Sequence, residues 1–408
     1  MPVDRLSTVL EDHVSSLREA GTAKGAETVV TGVRRAEGER GPRFLLEGQG
    51  DKEFMRMNSN SYLGMGMHRE VIAAEEATAA RFGTGPGAVR FISGTYDTHV
   101  NLERALAAFH GREAGMIFSA AYATIMGTIA PLVTPDTVLI SDELNHNCII
   151  NAMRLSRPGA KAIYPHLDYA ALEQAIENAK GTAKRALVVT DGIFSMRGDH
   201  AELDRIMEIA ARHDDEFEDN CVVVVDDSHG VGAFGISGRG TEEFCDSPPA
   251  DVLVGTLGKA FGVNGGYVVG SNALVNFLRE SAPMYIYSNP ITPAEAAAAL
   301  KSLQILDSPE GMRRLENLRA LTVRFQEGLA ALGLETIPGE HPVVPLMLRE
   351  TDRTHATVRH LYDNGVLATG LAYPVVPRGD EEIRFQVNAD HTAGDIDAVL
   401  AILATAPK

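Results

Sequence analysis

CVVVVDDSHG, residues 221–230, decides the fold: four valines in a row, followed at once by two aspartates, a serine and a histidine. A strand with one face in water alternates apolar and polar residues. An unbroken apolar run instead predicts a strand covered on both faces, as in a parallel sheet between helices. Working outward, similar runs recur as GMIF (115–118), TVLIS (137–141), KAIYP (161–165), ALVVT (186–190), DVLVGT (251–256) and GYVVG (266–270), with helical patterns between them. Seven short strands alternating with helices predict an α/β domain built on one seven-stranded, mostly parallel sheet. Ligands of such open sheets collect beyond the carboxyl ends of the strands, so the polar residues just after each run are the ones to examine.

Past Pro290 the texture changes to helix-rich sequence (294–306 and 312–332), then weaker strand-like segments (341–349 and 383–387) and a last helix. These predict a smaller α+β domain. The expected division is an N-terminal arm over 1–53, amphipathic and rich in charge, a large domain over 54–292 and a small one over 293–408. Thr392 with Asp395 three residues later is a capping-box pattern, and Ile396, Val399, Leu400 and Leu403 then make one apolar stripe that reads as core. The acidic run Asp214, Asp215, Glu216, Glu218, Asp219 reads as a solvated loop with no metal role.

Composition excludes several functions. The 408 residues carry 37 Lys and Arg against 55 Asp and Glu, a net charge of −18, which repels nucleic acid and anionic membranes alike. Three cysteines, Cys148, Cys221 and Cys245, show no CxxC spacing. They fit a reducing, cytoplasmic setting and exclude a disulfide scaffold or a cysteine-rich zinc site. The first 21 residues lack the basic and apolar regions of a signal peptide. The uncharged stretch from Ala114 to Pro135 is interrupted by Gly, Ser, Thr, Tyr and Pro, and reads as strand, turn and helix rather than a membrane span.

Three strand ends, TDGIFSM (190–196), DDSHG (226–230) and TLGKAFG (256–262), fall at the ligand edge of the predicted sheet. A lysine after a buried strand, as Lys259 is, loses its charge readily and becomes a nucleophile able to form a Schiff base. A carboxylate leaving an apolar strand, as Asp226 does, needs a positive partner to offset its desolvation. Singly, each residue is commonly structural. Together with NSYLGMG (60–66), VRFISGT (89–95), SDELNHN (141–147) and TDGIFSMRGD (190–199) they resemble the α-oxoamine synthases, pyridoxal-phosphate (PLP) enzymes of the type I aspartate-aminotransferase fold. That family condenses an amino acid with an acyl thioester. Within it, LREAGTAKG (17–25), YIYSNPITP (285–293) and YPVVPRGDEEIRFQV (373–387) resemble most the 2-amino-3-ketobutyrate CoA ligases, or glycine C-acetyltransferases.

The resemblance implies a role for each matched residue. Lys259 binds PLP covalently and serves as general base. Asp226 pairs with the pyridinium nitrogen, His229 sits near the cofactor's phenolic oxygen, and His146 stacks on the ring. Ser195 bonds the cofactor oxygen or positions the thioester. Backbone amides at Ala121 and Tyr122, where a helix N-terminus favours an anion, bind the phosphate together with the Thr256 hydroxyl. Ser288 reaches the phosphate of a partner subunit, which implies a homodimer with shared sites. Arg384 clamps the amino-acid carboxylate, and Asn60 contacts the substrate end.

Some positions depart from the family pattern. Tyr96 is expected to reshape the acyl pocket. Arg197 stands where an acid is usual and Glu382 where a base is common, while Asn147 and Cys148 replace a small pair beside the ring. The substrates implied are glycine and acetyl-CoA, with no metal. The alternatives are another amino acid with a longer acyl chain, as in 8-amino-7-oxononanoate synthesis or a tailoring enzyme, or a PLP aminotransferase or aldolase.

Overall fold

A computed structural model of the chain describes residues 3–20, 22–23, 25–373 and 375–407; Gly21 and Lys24 of the LREAGTAKG motif and Pro374 of YPVVPRG fall outside them. All seven apolar runs form strands of one sheet: β1 (Ala114–Phe118), β2 (Thr137–Asp142), β3 (Ala160–Tyr164), β4 (Arg185–Asp191), β5 (Cys221–Asp226), β6 (Val252–Thr256) and β7 (Gly266–Gly270). Their spatial order is β1-β7-β6-β5-β4-β2-β3. β7 runs antiparallel to both of its neighbours, and the remaining pairs are parallel. The carboxyl ends of the other six strands therefore share one edge.

The lack of polar alternation has the expected cause. Successive side chains point to opposite faces, and here both faces are packed. Val223 and Val225 join one buried cluster with Val188, Leu253 and Tyr267, and Val224 joins another with Leu187, Val189 and Val254. The uncharged stretch that begins at Ala114 divides into β1 and helix α1 (Ala121–Leu132). Among the described residues no helix is long and apolar enough to cross a membrane. The acidic run forms a short turn (Asp214–Glu216) leading into β5, where Asp214 Oδ1 accepts the Cys221 N–H at 3.0 Å.

The C-terminal part carries an antiparallel sheet in the order Glu335–Thr336, Val343–Met347, Glu382–Gln386, Thr369–Leu371. The last helix, Ala393–Leu403, has the anticipated capping box between Thr392 and Asp395, and its Ile396, Val399 and Leu403 are buried. The N-terminal segment holds an exposed helix, Asp4–Glu19, then strands Val30–Arg34, Arg43–Leu46 and Glu53–Arg56. The last of these crosses the boundary expected after residue 53 and pairs in parallel with Val366–Leu367. Asp395 accepts from Gly41 N–H at 2.9 Å and pairs with Arg43, so backbone pairing and ion pairing tie this arm to the C-terminal part.

Two glycines let the loops close around the sheet edge. A Cβ at Gly266 would stand 2.5 Å from Ala121 Cα, so the start of α1 rests directly on β7. Gly240, at φ +96°, leaves Thr241 free to give Asp227 both its N–H (2.7 Å) and its hydroxyl (2.6 Å). Gly266→Ala is expected to lower unfolding stability by roughly 1–3 kcal/mol through overpacking, read from chemical denaturation. An unchanged midpoint would show that α1 can shift without cost.

Candidate active site

At the shared edge the loops bring Ala121, Tyr122, His146, Cys148, Asp191, Ile193, Ser195, Asp226, Ser228, His229 and Lys259 around one pocket. Most of these follow the carboxyl ends of β1, β2, β4, β5 and β6. Asp191 and Asp226 end β4 and β5 and pair in register, so two carboxylates lie side by side beneath the pocket. Burial raises Asp191 well above the carboxylate range, and the charge of Asp226 adds to that rise. Asp191 Oδ2 accepts the His146 N–H at 2.8 Å, fixing the point where helix α2 (Asn147–Leu155) begins, with His146 as its N-cap.

Lys259 reaches the pocket from the loop after β6. Although part of its surface faces the pocket, protein encloses it, and burial lowers its pKa to about 8 against the opposing pull of Asp226 and Asp191. The amine is thus made nucleophilic near neutrality. Asp226 Oδ1 accepts the Ser228 N–H at 3.1 Å, and Oδ2 has the Cys148 thiol at 3.6 Å. A thiol is a weak donor, so this carboxylate can take a stronger cationic partner. Burial pushes the Cys148 thiol up, with Asp226 adding to the rise, and holds it protonated.

His229 and His146 are both kept neutral, chiefly by burial, with Lys259 opposing their protonation. Nδ1 of His229 lies 2.7 Å from Tyr62 Oη, which donates to Asn60 Oδ1 at 3.3 Å. The His229 carbonyl accepts from His341 Nε2 at 2.9 Å, while His341 Nδ1 accepts the Val343 N–H at 3.2 Å. Those two bonds define the tautomer of His341, a neutral ring whose pKa burial depresses to about 3. From the C-terminal strand Glu382–Gln386, Arg384 donates through Nη1 to the Ser195 carbonyl at 2.9 Å. With its amide oxygen turned toward the guanidinium, Gln386 accepts from Nε (2.6 Å) and Nη2 (3.1 Å).

The residues present fit PLP. Helix α1 starts at Ala120 with no side-chain cap, so the first-turn amides behind Ala121 and Tyr122 are donors available to a phosphate. The Ser228 hydroxyl is buried with no hydrogen-bond partner in the wall of the same pocket. A low-pKa lysine and a strand-end carboxylate complete the set that an aldehyde and a pyridinium require.

Of the anticipated residues, Lys259, Asp226, His229, His146, Ser195, Ala121, Tyr122 and Cys148 line this pocket, and the others do not. The Thr256 hydroxyl is engaged in its own loop, donating to Gly265 O (3.3 Å) and accepting the Gly258 N–H (3.0 Å). Asn60 acts through Tyr62, and Arg384 stands behind Ser195. Ser288 is half-buried on the turn before Pro290 and lines no part of the pocket within one chain. Tyr96 packs against Phe82 and His99 at the start of the helix Asp97–Phe109, and within one chain it lines neither this pocket nor the cavity beside it. Arg197, Asn147 and Glu382 line that neighbouring cavity. Asp191, Ser228, Tyr62 and His341 were missed. Asp191 carries the same signal as Asp226, an acid ending an apolar strand, whereas nothing local marks His341.

The sequence profile of the family described as aminotransferase class I and II matches residues 52–403. An 8-amino-7-oxononanoate synthase of Thermosipho melanesiensis is 36% identical over 373 residues, covering 91% of this chain and 92% of that protein. The mitochondrial 2-amino-3-ketobutyrate coenzyme A ligase of Bos taurus is 36% identical over 395 residues, 96% and 90% of the two chains. A solved serine palmitoyltransferase from S. paucimobilis superposes with a TM-score of 0.85 at 24% identity, covering 99% of this chain and 96% of that one. The architecture is thus the type I aminotransferase fold, and the chain belongs to the aminotransferase class I and II family and, within it, to the PLP-dependent α-oxoamine synthases.

Proposed function

We propose that the protein condenses a small amino acid with an acyl-CoA in a Claisen-type reaction, giving an α-amino-β-keto acid or its decarboxylated aminoketone, with glycine and acetyl-CoA as the favoured pair. The observation that carries this reading is the convergence of Lys259, Asp226, His146 and the uncapped start of α1 on one pocket. Bound PLP would supply an electron sink for the carbanion at the amino-acid α-carbon.

The residues divide the work by their chemistry. Lys259 Nζ would hold the cofactor and would take the α-proton of the amino acid. A pKa of about 8 suits both tasks. Asp226 would keep a proton on the ring nitrogen, and the Ala121 and Tyr122 amides with the Ser228 hydroxyl would hold the phosphate. His146 would lie against the ring, and His229, its Nδ1 beside Tyr62 Oη, would meet the phenolic oxygen. Arg384, pinned by Gln386 and the Ser195 carbonyl, orients the substrate carboxylate. His146 and Ser195, shared with the neighbouring cavity, meet the incoming thioester.

A second chain completes this picture. Phe91, Ile92 and Tyr287 are 68%, 67% and 78% exposed in one chain, a degree of apolar exposure that a homodimer interface would cover, and Ser288 lies next to Tyr287. The names of several relatives favour a second reading, an 8-amino-7-oxononanoate synthase with a longer acyl chain. The mass of the product separates the two.

Thiol release from acetyl-CoA by the PLP-loaded protein, with and without glycine, tests the reading. Release should require an amino acid, and Lys259→Ala should reduce it at least about 100-fold with the melting temperature retained. Transamination to a keto acid without thiol release would assign the site to an aminotransferase instead. Asp226→Asn should likewise abolish turnover in a folded, dimeric protein; full activity would remove Asp226 from the mechanism.

The lysine also sets a pH dependence. Its pKa of about 8 lies below the ordinary lysine value, so the neutral fraction rises from about a tenth at pH 7 to half at pH 8. PLP capture by the apoprotein should therefore accelerate about fivefold over that unit and level off above pH 9. Stopped-flow absorbance checks this, and a rise that continues to pH 10 would refute the lowered pKa.

A further inference from the structure

Beside the cofactor pocket, and sharing His146 and Ser195 with it, lies a cavity of about 370 Å³. Leu144, Phe194, Met196, Met347 and Val376 make much of it apolar, and Glu382 stands among them. This residue is only 2% exposed, and its Oε1 has no hydrogen-bond partner among the described residues. A buried polar atom left unpaired costs about 1–3 kcal/mol, so an acid kept in such a place is accounted for when a ligand group completes its bonding.

The surrounding charges say which kind of group. Glu143 and Asp380 line the same cavity, and Arg197, the one lysine or arginine among its lining residues, already donates from Nε to Asp199 at 2.8 Å. Glu382 precedes Arg384 by two positions on one strand, so both side chains leave the same face, the face on which Arg384 reaches Ser195. A carboxylate entering here would meet Glu143 and Asp380, the latter paired with Arg349, and a guanidinium that already gives its Nε to Asp199. A hydrogen-bond donor would meet a free acceptor.

We propose that Glu382 selects for a substrate that places a hydroxyl or ammonium group in this cavity and rejects one that places a carboxylate there, a specificity that rests on the acyltransferase reading above. The donor belongs either to the acyl chain of the thioester or to the side chain of the amino acid. Burial pushes Glu382 up to about 8 against the pull of Arg384 and Arg197. An ammonium beside it draws it into its ionised form, and a hydroxyl donates to a carboxyl oxygen in either state.

Two arms of one experiment separate the sources, using the PLP-loaded protein. In the first, thiol release with glycine is compared for pimeloyl-CoA, 7-hydroxyheptanoyl-CoA and 7-aminoheptanoyl-CoA. In the second, dissociation constants of aspartate, serine and 2,4-diaminobutyrate are read from the cofactor absorbance shift with no thioester present. A preference of about tenfold or more for donor-bearing over carboxylate-bearing probes is expected in one arm, and that arm identifies the source. Glu382→Gln should reduce the ratio of ammonium to carboxylate probes about tenfold, and Glu382→Arg should invert it. Equal or carboxylate-favouring ratios in both arms, or ratios that neither substitution moves, overturn the inference. The wild-type ratios decide even if Glu382→Arg fails to fold. Failure of glycine-dependent thiol release from acetyl-CoA would count against the acyltransferase reading alone, since the second arm involves no acyl transfer.

Discussion

The site rests on two carboxylates buried at the same level of adjacent strands, with one amine beside them. Taking Asp191 and Asp226 out of water is unfavourable, and their proximity adds repulsion; the burial of Lys259 is unfavourable in the opposite sense. Burial raises Asp191 well above the carboxylate range, while burial lowers Lys259 only as far as about 8 because both acids oppose it. Such an arrangement persists only where the fold is stiff. The stiffness comes from a sheet packed on both faces, from α1 resting on Gly266, and from Asp227, which Thr241 engages through both its N–H and its hydroxyl.

The second feature is that the site is closed by a different part of the chain from the one that founds it. The pocket floor is made of strand ends and loops of the large sheet, but His341 and Arg384 come from the C-terminal part and grip it through backbone carbonyls, at His229 and Ser195 respectively. Bonds to main-chain oxygens position the loops without using the His229 ring or the Ser195 hydroxyl. The Asn60–Tyr62–His229 chain holds the ring itself, through Nδ1, from the N-terminal side. Three segments distant in sequence therefore have to be docked before His229 has a defined orientation.

How much of this could be read in advance follows from the range of the interactions. Seven strands, their burial on both faces, the capping box at Thr392 and the ligand edge of the sheet were legible because each is a local pattern of side-chain polarity. Lys259, Asp226 and His146 were legible because short motifs surround them. Asp191 had the same strand-end signal as Asp226, and only its pairing across β4 and β5 reveals that the two act together. Tyr96 shows a limit of motif reading: its departure from a motif says nothing of its contacts, which within one chain are with Phe82 and His99 at the start of a helix.

The sequence by itself determined the sheet, its ligand edge and the lysine and aspartate that meet there, since apolar runs and the polar residues after them depend on neighbours a few positions away. Only the tertiary structure decided that His341 orients the His229 loop, that Thr256 is occupied by its own loop, and that Glu382 stands unpaired in an apolar cavity. Those are properties of distances between segments far apart in the chain and of the water excluded when they meet, and no local pattern of residues encodes either.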